Sequence, residues 1–178
     1  GLHVHQVAAL AAEGIHLHFY GDFTHGLWRS WIEKCQQQAA GFLHLHANVD
    51  QERWVAEFSQ YDAGWLHIYT SHNGGDLRRA DWDDLNYPAR IATLAVAGLP
   101  MIQRDNGDAV IATANLSRRH EIGIFVRDMA DLRAQLADET RMAMLREHVW
   151  RQRHLFTFDA HADRLVAFFR EVVATASG

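Results

Sequence analysis

The segment AGWLHIYTSHNGGDLRRADWDDLNYPARIATLAVAGLPMIQ, residues 63–103, decides the fold. Ala63–Tyr69 is a short apolar run carrying Trp, Leu, Ile and Tyr, the composition of a strand. Residues 70–86 are polar and read as a loop. From Tyr87 to Ala97 the apolar residues recur at helical spacing. Pro88 suits the first turn, where its missing N–H costs nothing, Asn86 reads as the N-cap, and Gly98 followed by Pro100 reads as the stop. Pro100–Gln103 is the next strand. Two strands joined through a helix run parallel, because the crossover returns the chain to the same end of the sheet.

The same alternation extends in both directions. Upstream, a helix from Val4 to Glu13 ends at Gly14, and the strand Ile15–Tyr20 closes at Gly21. A helix over Trp28–Ala40 precedes the strand Phe42–His46, and a helix over Gln51–Ser59 opens at an Asp50 cap. Downstream come a helix from Asp108 to His120, the strand Gly123–Val126, and helices over Met129–Gln152 and Asp159–Ala174. The expectation is an α/β fold, a Rossmann-like parallel sheet with helices on both faces and a C-terminal helical extension. Residues 1–178 form one domain, with 138–178 as the C-terminal helices. Such sheets bind ligands beyond the carboxyl ends of their strands, which places a site among the loops after Tyr20, His46, Tyr69 and Gln103.

Composition narrows the function. The 178 residues are 48% hydrophobic and 22% charged, a globular balance. A net charge of -5 gives no footprint for a nucleic-acid binder, although twelve of the seventeen cations lie after Ala89 and all twelve are Arg. No apolar run approaches the roughly 18 residues of a membrane span. The lone Cys35 excludes an internal disulfide or a CxxC site, and a reducing, cytoplasmic setting is expected. Neither GxGxxG nor a P-loop is present.

Arg90 stands in the first turn of the Tyr87–Ala97 helix. A cation there opposes the helix dipole at a cost of about 0.3 to 1 kcal/mol, and a bound diphosphate would turn that cost into attraction. Pairing of Arg90 with Asp83 or Asp84 is the structural alternative.

QYDAGWLHI (60–68) and PARIATLAVAGLPMI (88–102) together resemble the nucleotide-sugar-binding C-terminal domain of GT-B-type glycosyltransferases. They are similar to that family's "y-aD-gl-p" strand and its "P-x-K-x-x-E-y-x-a-x-G-x-P-v-i" segment. In order of elements the similarity runs from about residue 14 to residue 173. The resemblance implies transfer of a sugar from a nucleotide diphosphate-sugar to an acceptor, with no cofactor and no metal. It also implies a partner in an N-terminal acceptor-binding domain of the same enzyme. The donor site would comprise Gly21, His46, Asn48, Asn86, Tyr87, Pro88, Arg90 and Thr93. Arg90 matches the motif's Lys and would face the diphosphate, and the loop His46–Val49 would hold the base through backbone groups. The two acidic positions of the retaining members fall on Leu85 and Thr93, so Thr93 would offer the ribose one weaker hydrogen bond. No residue is assigned to catalysis. A degenerate, non-catalytic nucleotide-binding or interaction domain is the alternative that these departures motivate.

Histidine supplies another. His3-Val4-His5, His16-Leu17-His18 and His44-Leu45-His46 repeat one pattern. Two His at i and i+2 on a strand share a face, and a metal-dependent hydrolase could use them. The loop His72–Arg79 reads as a flexible segment whose paired Arg residues could close on phosphate. The six Trp residues read as core or domain-contact residues, with Trp82 nearest the motif. The apolar spacing over Leu155–Val173 reads as a packing face.

Overall fold

The computed structural model describes residues 3–23 and 26–176. Among these, five short strands alternate with nine helices: α1 Val4–Ala12, β1 Leu17–Tyr20, α2 Gly26–Gln38, β2 Leu43–His46, α3 Trp54–Phe58, β3 Gly64–His67, α4 Trp82–Leu85, α5 Arg90–Val96, β4 Met101–Arg104, α6 Ala112–Arg119, β5 Gly123–Val126, α7 Met129–Leu136, α8 Glu139–Gln152 and α9 Asp159–Ala176. Every strand pairing is parallel. The pairings make two sheets, β1-β2 and β3-β4-β5, in an α/β architecture of the Rossmann-like kind. From β1 the chain steps outward to β2, crosses back, and steps outward the other way through β4 and β5. The reversal falls between β1 and β3.

No ladder joins the two sheets; apolar contact does. Leu10 of α1 shares a buried cluster with Ile102, Ile124, Val126, Leu132, Met142 and Leu145, and Ile15, Leu17 and Trp65 pack against it. The opposite face of the larger sheet buries Leu66 and Met101 with Ile91 and Ala95 of α5, Ile122, and Val149 of α8. Helices therefore cover both faces. Arg146 of α8 ties in the turn before β3, donating to the carbonyls of Tyr61 and, at 2.9 Å, of Ser59.

Alternation along β1 and β2 sends Leu17, Phe19 and Leu43 one way, toward a cluster with Val7, Cys35 and Trp31. His18, Tyr20, His44 and His46 face the other way. All eight residues of these strands are half-buried. The thiol of Cys35 is fully buried and its pKa is raised by burial, so it serves as a small apolar side chain.

Several local expectations change. Asn86 caps no helix start: it follows the last residue of α4, and the position before α5 is Ala89, with no side-chain cap. An Asp81–Asp84 capping box within the supposed loop nucleated α4 and took the polar start signal. Asp50 precedes a single 3-10 turn over Gln51–Arg53 and makes no cap bond, so the expected helix is confined to α3. Helix α9 does form, yet its apolar side is uncovered, with Phe168 and Phe169 each 55% exposed. Residues 177–178 of the expected helical tail lie outside the described residues. Of the six Trp residues none is fully buried, and Trp82 is 77% exposed.

Gly64 opens β3 directly beneath α5. A Cβ there would sit 2.1 Å from Leu94 Cδ2 and 2.9 Å from its Cγ, so the close helix-to-strand approach requires glycine. Gly64→Ala should cost about 1 to 3 kcal/mol by overpacking. Thermal denaturation that gives an unchanged melting temperature would show that Leu94 yields freely.

Candidate functional site

The reversal of strand order between β1 and β3 opens a cleft of about 1900 Å³. In open parallel sheets this is where ligands bind, because loops on either side of the reversal diverge and leave a crevice. At the carboxyl end of β3 its wall is made by His67, Tyr69, Thr70, Asp83, Asn86, Arg90 and Thr93.

Arg90 is exposed, and it makes no ion pair or hydrogen bond with another described residue. It does not pair with Asp83 or Asp84. Asp84 is 1% exposed and spent elsewhere: Asn73 Nδ2 donates to its Oδ2 at 2.9 Å, the Asp81 amide at 3.2 Å, and Tyr69 OH to its Oδ1 at 3.3 Å. Burial alone would raise the Asp84 carboxyl, but bonds from Ser71, Asn73, the Asp81 amide and Tyr69 outweigh it and hold the group below its ordinary range. Thr93 lies one turn beyond Arg90 on the same side of α5 and is half-buried at the cleft wall.

The helix start itself offers less than expected. Helix α5 has seven residues, and the amides of Ile91 and Ala92 already donate to the carbonyls of Pro88 and Ala89 at 3.0 and 3.2 Å. An anion placed there would meet the Arg90 side chain rather than a row of free helix amides.

His67 was not anticipated. It is the last residue of β3, its Nε2 is buried without a partner, and its ring stands edge-on to Tyr69 at 5.5 Å. Burial lowers its pKa and the nearby Arg90 lowers it further, against an opposing pull from Asp83. A neutral imidazole beside a guanidinium can donate to a phosphate oxygen or accept from a hydroxyl. The sequence did carry a signal, a lone His two residues before the end of an otherwise apolar strand run.

The other expected residues divide. Asn86, Arg90 and Thr93 line the cleft, whereas Gly21, His46, Asn48, Tyr87 and Pro88 do not. The Gly21 amide donates to the His46 carbonyl at 3.1 Å, locking the carboxyl ends of β1 and β2 together. Asn48 is exposed, and Tyr87 is 57% exposed.

The loop over His72–Arg79 is pinned, not free. Asn73, 1% exposed, donates to the Val110 carbonyl at 2.9 Å and accepts from the amides of Val110 and Gly75, both at 3.0 Å. Arg78 pairs with Asp76, and Arg79 donates to the His72 carbonyl at 2.8 Å, so both guanidinium groups are engaged within the loop.

Two of the three histidine repeats meet across β1 and β2, whereas His3 and His5 lie at the start of α1, not on a strand, and stack on each other at 5.6 Å. His16 Nδ1 bonds His44 Nε2, and His18 Nδ1 bonds His46 Nε2, each at 2.9 Å. The His18 and His44 rings stack at 4.4 Å, and Tyr20 stacks on His46 at 4.5 Å. Tyr20 OH donates to Glu57 at 2.6 Å and shares a hydrogen bond with Tyr61 OH. Each of these four imidazoles thus commits one ring nitrogen to its neighbour across the strands. No group of three or more His, Cys, Asp or Glu arranged to hold a metal occurs among the described residues.

No protein-family model matches the chain, and no curated protein matches it in sequence. No helix among the described residues is long and apolar enough to cross a membrane.

Burial lowers the pKa of His18 from 6.5, reinforced by His44, His46 and His16. The folded state therefore favours neutral His18. Its contribution to stability is complete above about pH 6.5 and is lost as pH falls through the lower folded value. Melting temperatures measured between about pH 5 and pH 8 should drop on the acid side, and His18→Gln should flatten that slope. Parallel profiles for the two proteins would place the acid sensitivity elsewhere.

Proposed function

We propose that the chain is the donor-binding domain of a GT-B-type glycosyltransferase, holding a nucleotide diphosphate-sugar in the cleft at the carboxyl end of β3. One observation carries the reading. Arg90, the residue that matches the motif's cation, stands without an ion-pair partner among the described residues at the strand-order reversal, with Thr93, Asn86 and His67, whose buried Nε2 has no hydrogen-bond partner, around it. A bare guanidinium in a crevice between low-dielectric walls attracts a diphosphate and fits its oxygens bidentately.

In that role Arg90 stabilises the charge that develops on the leaving diphosphate, which divalent metals do in other transferases. The imidazole of His67 supplies a second, neutral donor. Thr93, where retaining members of the family carry a carboxylate, holds the ribose with one hydroxyl. The acceptor and any catalytic base come from an N-terminal acceptor-binding domain, so this chain binds donor without turning it over. The proposed setting is cytoplasmic.

Leu85 and Thr93 support a second reading, a nucleotide-binding domain that has lost catalysis. Both readings share the binding site; glycosyl transfer by the domain joined to its acceptor half separates them.

Calorimetry with uridine, guanosine and adenosine mono- and diphosphates tests the site. The diphosphate of the preferred base should bind more tightly than its monophosphate. Arg90→Ala should weaken diphosphate binding by about 1.5 to 3 kcal/mol, the worth of a hydrogen bond to a charged group, and leave the melting temperature nearly unchanged. Equal affinity for the two forms, or a sharp loss of stability in the variant without ligand, would remove Arg90 from a diphosphate site.

A further inference from the structure

Helix α9 is bare. Its amino end meets the 3-10 turn over Arg153–Phe156, and every side chain from Asp163 to Thr175 is exposed. Its eighteen residues make about 27 Å of helix. Three Val, a Thr and two Phe lower its intrinsic propensity, and helices in proteins draw most of their stability from burying an amphipathic face.

The face to be buried is continuous. Leu165, Phe169 and Val172 recur at i, i+4 and i+7, the spacing of a two-helix seam, with Val166 and Phe168 to either side. All five are exposed. Charge borders this stripe in a regular way: Asp163 and Arg170 lie on one flank and Arg164 and Glu171 on the other, so that within each flank opposite signs stand seven residues apart. None of the four forms an ion pair with another described residue.

We infer that α9 pairs antiparallel with α9 of a second copy of this chain, across a two-fold axis at the level of Ala167. Leu165 and Phe169 lie equally far on either side of Ala167, so in that register Leu165 of each copy meets Phe169 of the other. The same register sets Asp163 beside Arg170 and Arg164 beside Glu171 of the other copy, each to within one residue. A two-fold contact repeats itself, and one register therefore yields two apolar layers and four charge pairs. Exposed ion pairs contribute little affinity; they fix direction and register while the apolar seam supplies the strength. A parallel pair would set Phe169 against Phe169 and Leu165 against Leu165, where alternating sizes interdigitate better, and would crowd both chain bodies at one end of the helices. The charge of α9 also selects a second copy over a lipid surface. It carries two Arg against three carboxylates, whereas an interfacial helix is rich in Lys and Arg on its polar face. This inference does not depend on the nucleotide reading.

Sedimentation equilibrium of the 178-residue chain across the micromolar range is the test. A reversible monomer–dimer equilibrium is expected there, because a seam of one helix per chain is smaller than a standard interface. Phe169→Asp should weaken dimerisation by about tenfold or more and leave the melting temperature of the monomer unchanged, since the residue lies outside the core. Arg170→Asp should weaken it by about fivefold, and the double variant Asp163→Arg with Arg170→Asp, which exchanges the two charges of that flank, should restore it. A monomer at every concentration, a dimer that survives Phe169→Asp, or a double variant no tighter than Arg170→Asp would overturn the inference. Growth beyond the dimer, or binding of a monomer to vesicles of anionic phospholipid through α9, would give the helix a different occupant and overturn it equally.

Discussion

Apolar adhesion across the strand-order reversal is the constraint on which the molecule depends. The β1-β2 pair and the β3-β4-β5 sheet share no hydrogen-bonded ladder, so their relation rests on Leu10 and its partners from α7, α8, β4 and β5. A fully buried Leu contributes about 1.5 to 3 kcal/mol, and the cluster as a whole therefore outweighs any single polar contact between the sheets. A polar seam reinforces it on the other face, where Tyr61, held by Arg146, meets Tyr20 and His18 of β1. The two attachments hold the cleft open between them. The candidate site is the carboxyl-end mouth of that cleft.

This arrangement explains why so much charge chemistry is gathered at one edge. Parallel strands bring every strand-to-helix loop to the same side, and the pinned loop over residues 70–86 closes the site from above β3. Asn73 and Asp84 do that pinning while fully buried, which is tolerated because each polar atom finds a partner. Their bonds commit the Asp84 carboxylate to the loop. The guanidinium of Arg90 is exposed at the cleft.

The alternation of elements was legible because its punctuation is chemical: Gly98 at φ 71 ends α5 where the sequence places the stop, and β5 spans Gly123–Val126 as read. Arg90 and Thr93 on one wall were legible for the same reason, since a helical repeat fixes which residues share a side; Asn86 reaches that wall from outside the helix. What escaped depends on tertiary contact. Nothing local marks Asn73 as buried, because its partners Val110 and Asp84 lie thirty-seven and eleven positions away. The Asp81–Asp84 box was hidden inside an acidic run that reads as solvated loop. His46 looked available from its place after a strand, but its ring and carbonyl are both taken by β1. The apolar spacing of α9 was read as a packing face, but nothing among the described residues covers it, which periodicity alone does not show.

The role proposed for the mouth of the cleft at the carboxyl end of β3 is to hold a nucleoside diphosphate. An NMR titration of the 15N-labelled chain with uridine, guanosine and adenosine diphosphates locates such a ligand directly. Saturable shifts are expected for one of them, concentrated in the amides of His67–Thr70, Asn86, Tyr87 and Ala89–Thr93, with the imidazole of His67 moving alongside. Shifts confined to the histidine face of β1 and β2, or no saturable shift with any of the three, would contradict it.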